Sequence, residues 1–109
     1  MRLRMRGQKT GWTAELRRHA ERRVHFALSR FSLSIGLVTV DLRGSLTAPD
    51  GVDRTCRIVV HLVPSGSVLV EKTQKDISSA IDQAAECAGH AVQRALGRER
   101  GWDTGGPKV

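Results

Sequence analysis

Residues 35–43 and 54–63 alternate apolar and polar side chains with a period of two, and a strand with that period has one dry face and one wet face. In the first stretch Val38, Val40 and Leu42 fall on one side and Thr39, Asp41 and Arg43 on the other; in the second Cys56, Ile58, Val60 and Leu62 point inward. Arg2-Leu3-Arg4-Met5-Arg6 alternates in the same way, with Leu3 and Met5 opposed to three arginines. A sheet built from such strands is apolar on one face only, so it needs helices over that face and water over the other.

Two segments switch to helical spacing. Thr13 is placed to cap a helix running to about Phe31, with Glu15 in its first turn. Leu16, Ala20, Val24, Ala27, Leu28 and Phe31 recur at three and four residues and form its apolar stripe. Asp76 caps a second helix whose buried side reads Ile77, Ile81, Ala84, Ala88, Val92 and Ala95. Small residues in that number imply a helix axis lying close to whatever it covers. Residues 44–53, with a Pro-Asp-Gly turn, read as a loop, and Pro64-Ser65-Gly66 turns the chain into a further strand at Ser67–Gln74.

The order is therefore strand, helix, three strands, helix. A right-handed crossover through the first helix lays strand one parallel to strand two, and the antiparallel meander extends the sheet. The expected fold is α+β, β-α-β-β-β-α, a four-stranded mixed sheet with two helices packed on one face. With 109 residues the chain has room for one such domain, over residues 1–100, followed by a flexible tail at 101–109.

Charge is distributed unevenly along the chain. Residues 1–31 hold nine Lys+Arg and two acids, 32–75 five and four, and 76–109 four and five, so the formal excess of +7 belongs to the first third. Unbalanced positive charge repels itself unless a polyanion relieves it, which makes nucleic acid the first candidate partner. On the first helix Arg18, Arg22, His25 and Ser29 lie opposite the apolar stripe, flanked by Arg23 and Arg30, and Arg22 and Arg23 are both expected to face solvent. Arginine rather than lysine suits phosphate, because its planar fork donates two parallel hydrogen bonds. Phe26 falls within this polar side, where stacking on a base and packing under a loop are both open. A rival basic surface is the wet face of the sheet, with Arg2, Arg4, Arg6, Arg43, Arg57 and His61, but it carries no aromatic to stack bases. Shape and phosphate recognition fit either surface better than sequence reading does.

Catalytic and metal chemistry find little support. His19, His25, His61 and His90 make no ligand spacing with one another or with Cys56 and Cys87, so no metal and no cofactor are expected. Cys87 and His90 stand three apart on a helix with no third orienting group, no glycine loop cradles a phosphate, and an enzyme is not expected. Neither an export leader nor a run of about 18 apolar residues occurs, so free thiols in a reducing cytoplasm and no membrane partner are expected.

Thr13-Ala-Glu-Leu-Arg-Arg-His-Ala-Glu-Arg-Arg-Val24 and Asp76-Ile-Ser-Ser-Ala-Ile-Asp82 resemble two motifs of the ribosome hibernation promoting factor family, also called sigma-54 modulation proteins. The resemblance covers about residues 1–100. It implies a fold related in shape to double-stranded RNA-binding domains, and a translation inhibitor seated on the small ribosomal subunit in the channel used by mRNA and tRNA. It implies rRNA as partner, no DNA, and a monomer. Arg23 and Arg94 stand at positions matching basic rRNA-facing residues of the family, and Arg18, Arg22, Arg30 and Arg98 extend that patch. His90, which with Cys87 occupies a position commonly Lys or Arg, completes the candidate set, and Ser78 replaces a usual Tyr. Long members carry a further C-terminal domain that pairs ribosomes, which the residues after Arg100 are too few to supply, so a short form is expected. The alternative left open is a divergent member that binds structured RNA or a protein away from the ribosome.

Overall fold

Thr13 starts the first helix: its Oγ1 accepts a hydrogen bond from the Leu16 amide at 3.1 Å, satisfying one of the donors a helix start leaves free. The structure, a computed structural model, describes residues 1–7, 13–48 and 51–99, with the side chains of 44–53 and 98–99 left aside. Six main elements follow in the order β1 (Arg2–Gly7), α1 (Ala14–Leu28), β2 (Ile35–Ala48), β3 (Gly51–Leu62), β4 (Ser67–Gln74) and α2 (Ile77–Glu99). This is the expected β-α-β-β-β-α order.

The sheet runs β1-β2-β3-β4, with β1 parallel to β2 and the other pairs antiparallel. Its register stacks apolar residues into continuous rows under the helices. Leu3, Val38, Val60 and Val68 form one row, and Met5, Val40, Ile58 and Val70 the next. The four central residues of these rows are fully buried. The opposite face carries rows such as Arg4, Thr39, Val59, Leu69 and Arg6, Asp41, Arg57, Glu71.

Both helices lie over the apolar rows. α1 contributes Ala20, Val24 and Leu28, and α2 contributes Ala80, Ile81, Ala84, Ala85, Ala88, Val92 and Leu96, all buried. Each large side chain taken fully from water, such as Leu28, Ile58 or Ile81, contributes about 1.5–3 kcal/mol. The small residues of α2 also let it approach α1 closely: a Cβ placed on Gly89 would sit 3.1 Å from the carbonyl oxygen of Ala27. Asp76 caps α2, its Oδ2 accepting from the Ser79 amide at 3.2 Å and from the Ser79 hydroxyl at 3.0 Å.

Two boundaries differ from the expectation. The first helix does not continue as α-helix to Phe31; it ends at Leu28 and tightens into a 3-10 turn over Ser29–Ser34. Serines at 29, 32 and 34 offer the backbone competing hydrogen bonds, and a tightened last turn is a common way to end a helix. The segment 44–53 is not a loop: β2 and β3 keep pairing through Gly44↔Arg54, Ser45↔Asp53 and Ala48↔Gly51, with a register shift between Ser45 and Ala48. Apolar alternation stops after the row that joins Leu42 to Cys56, whereas a backbone ladder needs no alternation to continue. Pro49 and Asp50 of the expected turn, and the tail after Arg100, lie outside the described residues.

The contact between Gly89 and Ala27 makes a testable demand. Gly89→Leu should destabilise the fold by about 1–3 kcal/mol through overpacking, although helix propensity alone favours leucine over glycine by roughly 0.8 kcal/mol. Urea denaturation followed by circular dichroism measures this, and a variant as stable as the parent would contradict so close a helix approach.

Candidate nucleic-acid interface

With their inner faces committed to the sheet, the helices turn their charged residues outward. Arg17, Arg18 and Arg22 on α1 are exposed, as is Arg94 on α2, and none of the four forms an ion pair with any described residue. Arg18 and Arg22 are one turn apart on α1. His90 and Arg94 are related in the same way on α2. The side chain of Arg98 lies outside the described residues.

Arg23 departs from the expectation that it faces solvent. Its side chain is only partly exposed, and its Nε lies 3.1 Å from Asp82 Oδ1, too poorly aligned to count as a hydrogen bond. The same carboxylate oxygen accepts from His19 Nε2 at 2.7 Å. Asp82 on α2 therefore ties together two α1 residues that are four apart and so share a face. The reason is tertiary: helical spacing places Arg23 at the edge of the apolar stripe, and only the packing of α2 brings a carboxylate to it.

Next to this clamp a furrow of about 370 Å³ opens between the helices. Arg23, Phe26 and Arg30 line it from α1 and its end, Glu86 and His90 from α2, with Ala27 and Gly89 at their point of closest approach. Arg30 Nη2 donates to Gln93 Oε1 across the helix pair at 3.4 Å, and its guanidinium sits 4.8 Å from the centroid of the Phe31 ring. Phe26 remains 82% exposed, with the Arg23 guanidinium 6.0 Å from its ring centroid. It is not packed under a loop. A second, shallower hollow on its outer side is lined by Glu21, Arg22, Arg23 and His25.

Of the seven candidate residues, Arg23, Arg30 and His90 thus meet in one furrow, Arg18 and Arg22 occupy the adjoining outer face of α1, and Arg94 extends the surface along α2. His19, Asp82 and Glu86 were not among the candidates. His19 and Asp82 do fall inside the two family-like motifs, which was the available signal; their pairing over 63 positions was not readable from spacing.

The rival surface is electrostatically different. On the open sheet face Arg57 donates through Nε and Nη2 to Glu71 Oε2 at 3.1 and 3.0 Å, and Arg43 lies 3.4 Å from Asp41. In the row Arg6, Asp41, Arg57, Glu71 bases and acids alternate across the strands, while Arg2 and Arg4 at the β1 edge are exposed without an ion pair to any described residue, and Val59 and Leu69 add apolar surface without an aromatic ring. Beneath, Cys56 is fully buried, and loss of hydration, reinforced by the nearby Asp41 charge, pushes its thiol up to about 12. A thiol so held is a core residue, not a nucleophile. Among the described residues no cluster of three His, Cys, Asp or Glu could hold a metal ion, and no helix is long and apolar enough to cross a membrane.

Comparison with known proteins agrees with this architecture. The family described as sigma 54 modulation protein / S30EA ribosomal protein matches residues 3–100. Among solved structures, the Protein Y N-terminal domain of Thermus thermophilus is similar with a TM-score of 0.70 and 25% identity, over 87% of this chain and 99% of that one. A ribosomal subunit interface protein from Coxiella burnetii superposes with a TM-score of 0.68 at 16% identity, over 92% of this chain and 98% of its own, a likeness of fold. No curated protein sequence matches the chain.

Because Asp82 Oδ1 serves both His19 and Arg23, Asp82→Ala should lower stability by about 1 kcal/mol. The same substitution in a His19→Ala background should cost measurably less. Strictly additive losses in denaturant titrations would show that the two helices are not coupled through this carboxylate.

Proposed function

The chain belongs to the sigma 54 modulation protein / S30EA ribosomal protein family, and from that premise we propose that it is a ribosome hibernation factor that binds the small ribosomal subunit. On this reading it acts in the cytoplasm as a single copy, its helical layer lies against rRNA, and its body occludes the channel that mRNA and tRNA use. Inhibition needs no chemical step, only occupancy.

The observation that carries the proposal is the set of exposed arginines, Arg17, Arg18, Arg22 and Arg94, without ionic partners among the described residues. A phosphate backbone supplies the missing counter-charge and releases condensed cations as it does so. The sheet face offers a weaker pull, since Arg57 and Arg43 already have acidic neighbours and its exposed arginines without an ion pair among the described residues, Arg2 and Arg4, sit at the edge strand. Protein Y and the Coxiella burnetii protein share the fold that sets this layer out, and the second is a ribosomal subunit interface protein.

Binding through phosphates fixes how affinity responds to salt. In co-sedimentation with purified small subunits, Arg18→Ala combined with Arg22→Ala should weaken binding about tenfold or more and reduce the slope of log affinity against log salt by roughly 1.4 to 1.8. Arg2→Ala combined with Arg4→Ala, on the edge of the open face, should change affinity less than about threefold. Equal losses from the two pairs would put the sheet against the RNA instead. Absence of co-sedimentation by the unaltered chain at low salt would remove the ribosome from the account and favour a partner elsewhere.

A further inference from the structure

We infer that the furrow between α1 and α2 is a binding site for one unpaired ribonucleotide, whose base stacks on Phe26 while its phosphates meet Arg30 and His90. The inference rests on the ribosomal reading and adds a specific subsite to it.

An exposed phenylalanine has no electrostatic use on a phosphate-binding surface, and leaving it 82% in water forgoes the burial that usually keeps such a ring inside. Its surroundings suit a base. One wall is the ring; around it stand the donors of Arg23, Arg30 and His90. Arg23 approaches the carboxylate of Asp82 with its Nε, and none of its other guanidinium nitrogens hydrogen-bonds within the described residues. Arg30 commits only Nη2 to Gln93.

Glu86 sets the orientation. Its exposed carboxylate lines the same furrow and repels phosphate, so the phosphates belong at the Arg30 and His90 side. A carboxylate accepts hydrogen bonds only, which suits the exocyclic amine of adenine, cytosine or guanine and not the carbonyls of uracil. Size agrees: a volume of about 370 Å³ lies at the low end of small-ligand pockets, enough for one nucleotide and far too small for a duplex. Unpaired bases of RNA are the ones that proteins stack on aromatic rings.

The test uses the full chain and purified small subunits, with affinity measured across a salt series for the parent, Phe26→Ala, Phe26→Leu and Phe26→Trp. Stacking predicts that Phe26→Ala loses roughly tenfold in affinity at an unchanged salt slope, because no charge is removed. Phe26→Trp should restore binding to within about twofold and Phe26→Leu should not. Parental affinity in Phe26→Ala would overturn the subsite while leaving ribosome binding intact. Restoration by leucine as good as by tryptophan would overturn it too, as the mark of apolar packing against a protein. Failure of the parent chain to bind would instead overturn the ribosomal reading and this inference with it.

Discussion

A sheet that is apolar on one face can be stable in water only if something covers that face, and the rest of this molecule follows from how the covering is done. Two helices supply it, and each commits one stripe to the rows that run from Leu3 to Val68 and from Met5 to Val70. Everything on the helices that cannot be buried is then forced into a single outer layer. The alanines of α2 and the bare backbone of Gly89 hold the helices close, and Asp82 fixes their relative position through His19 and Arg23. Close packing brings Arg23, Phe26 and Arg30 of one wall against Glu86 and His90 of the other.

The two wet surfaces of the molecule solve the same electrostatic problem differently. On the open sheet Asp41 of the same strand sits beside Arg43 and Glu71 of the neighbouring strand beside Arg57, and such exposed pairs, though individually weak, reduce the net field, leaving Arg2 and Arg4 at the β1 edge without an ion pair to a described residue. On the helical layer Glu15 and Glu21 of α1 and Asp82 and Glu86 of α2 stand against the five arginines of α1 and its end and Arg94 of α2, and five of those six, Arg17, Arg18, Arg22, Arg30 and Arg94, have no acidic partner among the described residues. That imbalance is tolerable for a protein whose partner carries the opposite charge at high density, as structured RNA does. The family to which the chain belongs is described as a ribosomal one, which supplies such a partner.

Much of the fold was legible because it rests on periodicity. Cys56, Ile58, Val60 and Leu62 alternate with residues of the other face, and all four are buried; the caps at Thr13 and Asp76 are short-range chemistry that a sequence displays directly. Where side-chain pattern and backbone pairing part company the reading failed, as in the hairpin arm that continues from Gly44 to Ala48 without alternation. The candidate site was legible in composition and less so in geometry. Arg18 and Arg22 stand on the face that helical spacing gave them, but Arg23 is bound to a residue on another helix, a contact that no local rule contains. Helical spacing leaves Phe26 two options, and the packing of α2 makes it an exposed wall of the furrow.

The central claim, that the helical layer and not the sheet meets RNA, is tested most directly by chemical protection of arginine. Phenylglyoxal modification of the chain, read by mass spectrometry with and without saturating small subunits, reports which guanidinium groups become covered. The account predicts strong protection of Arg18, Arg22 and Arg94 on the helices, with Arg2 and Arg4 on β1 still modified. Protection of the β1 arginines with the helical ones left reactive would contradict it.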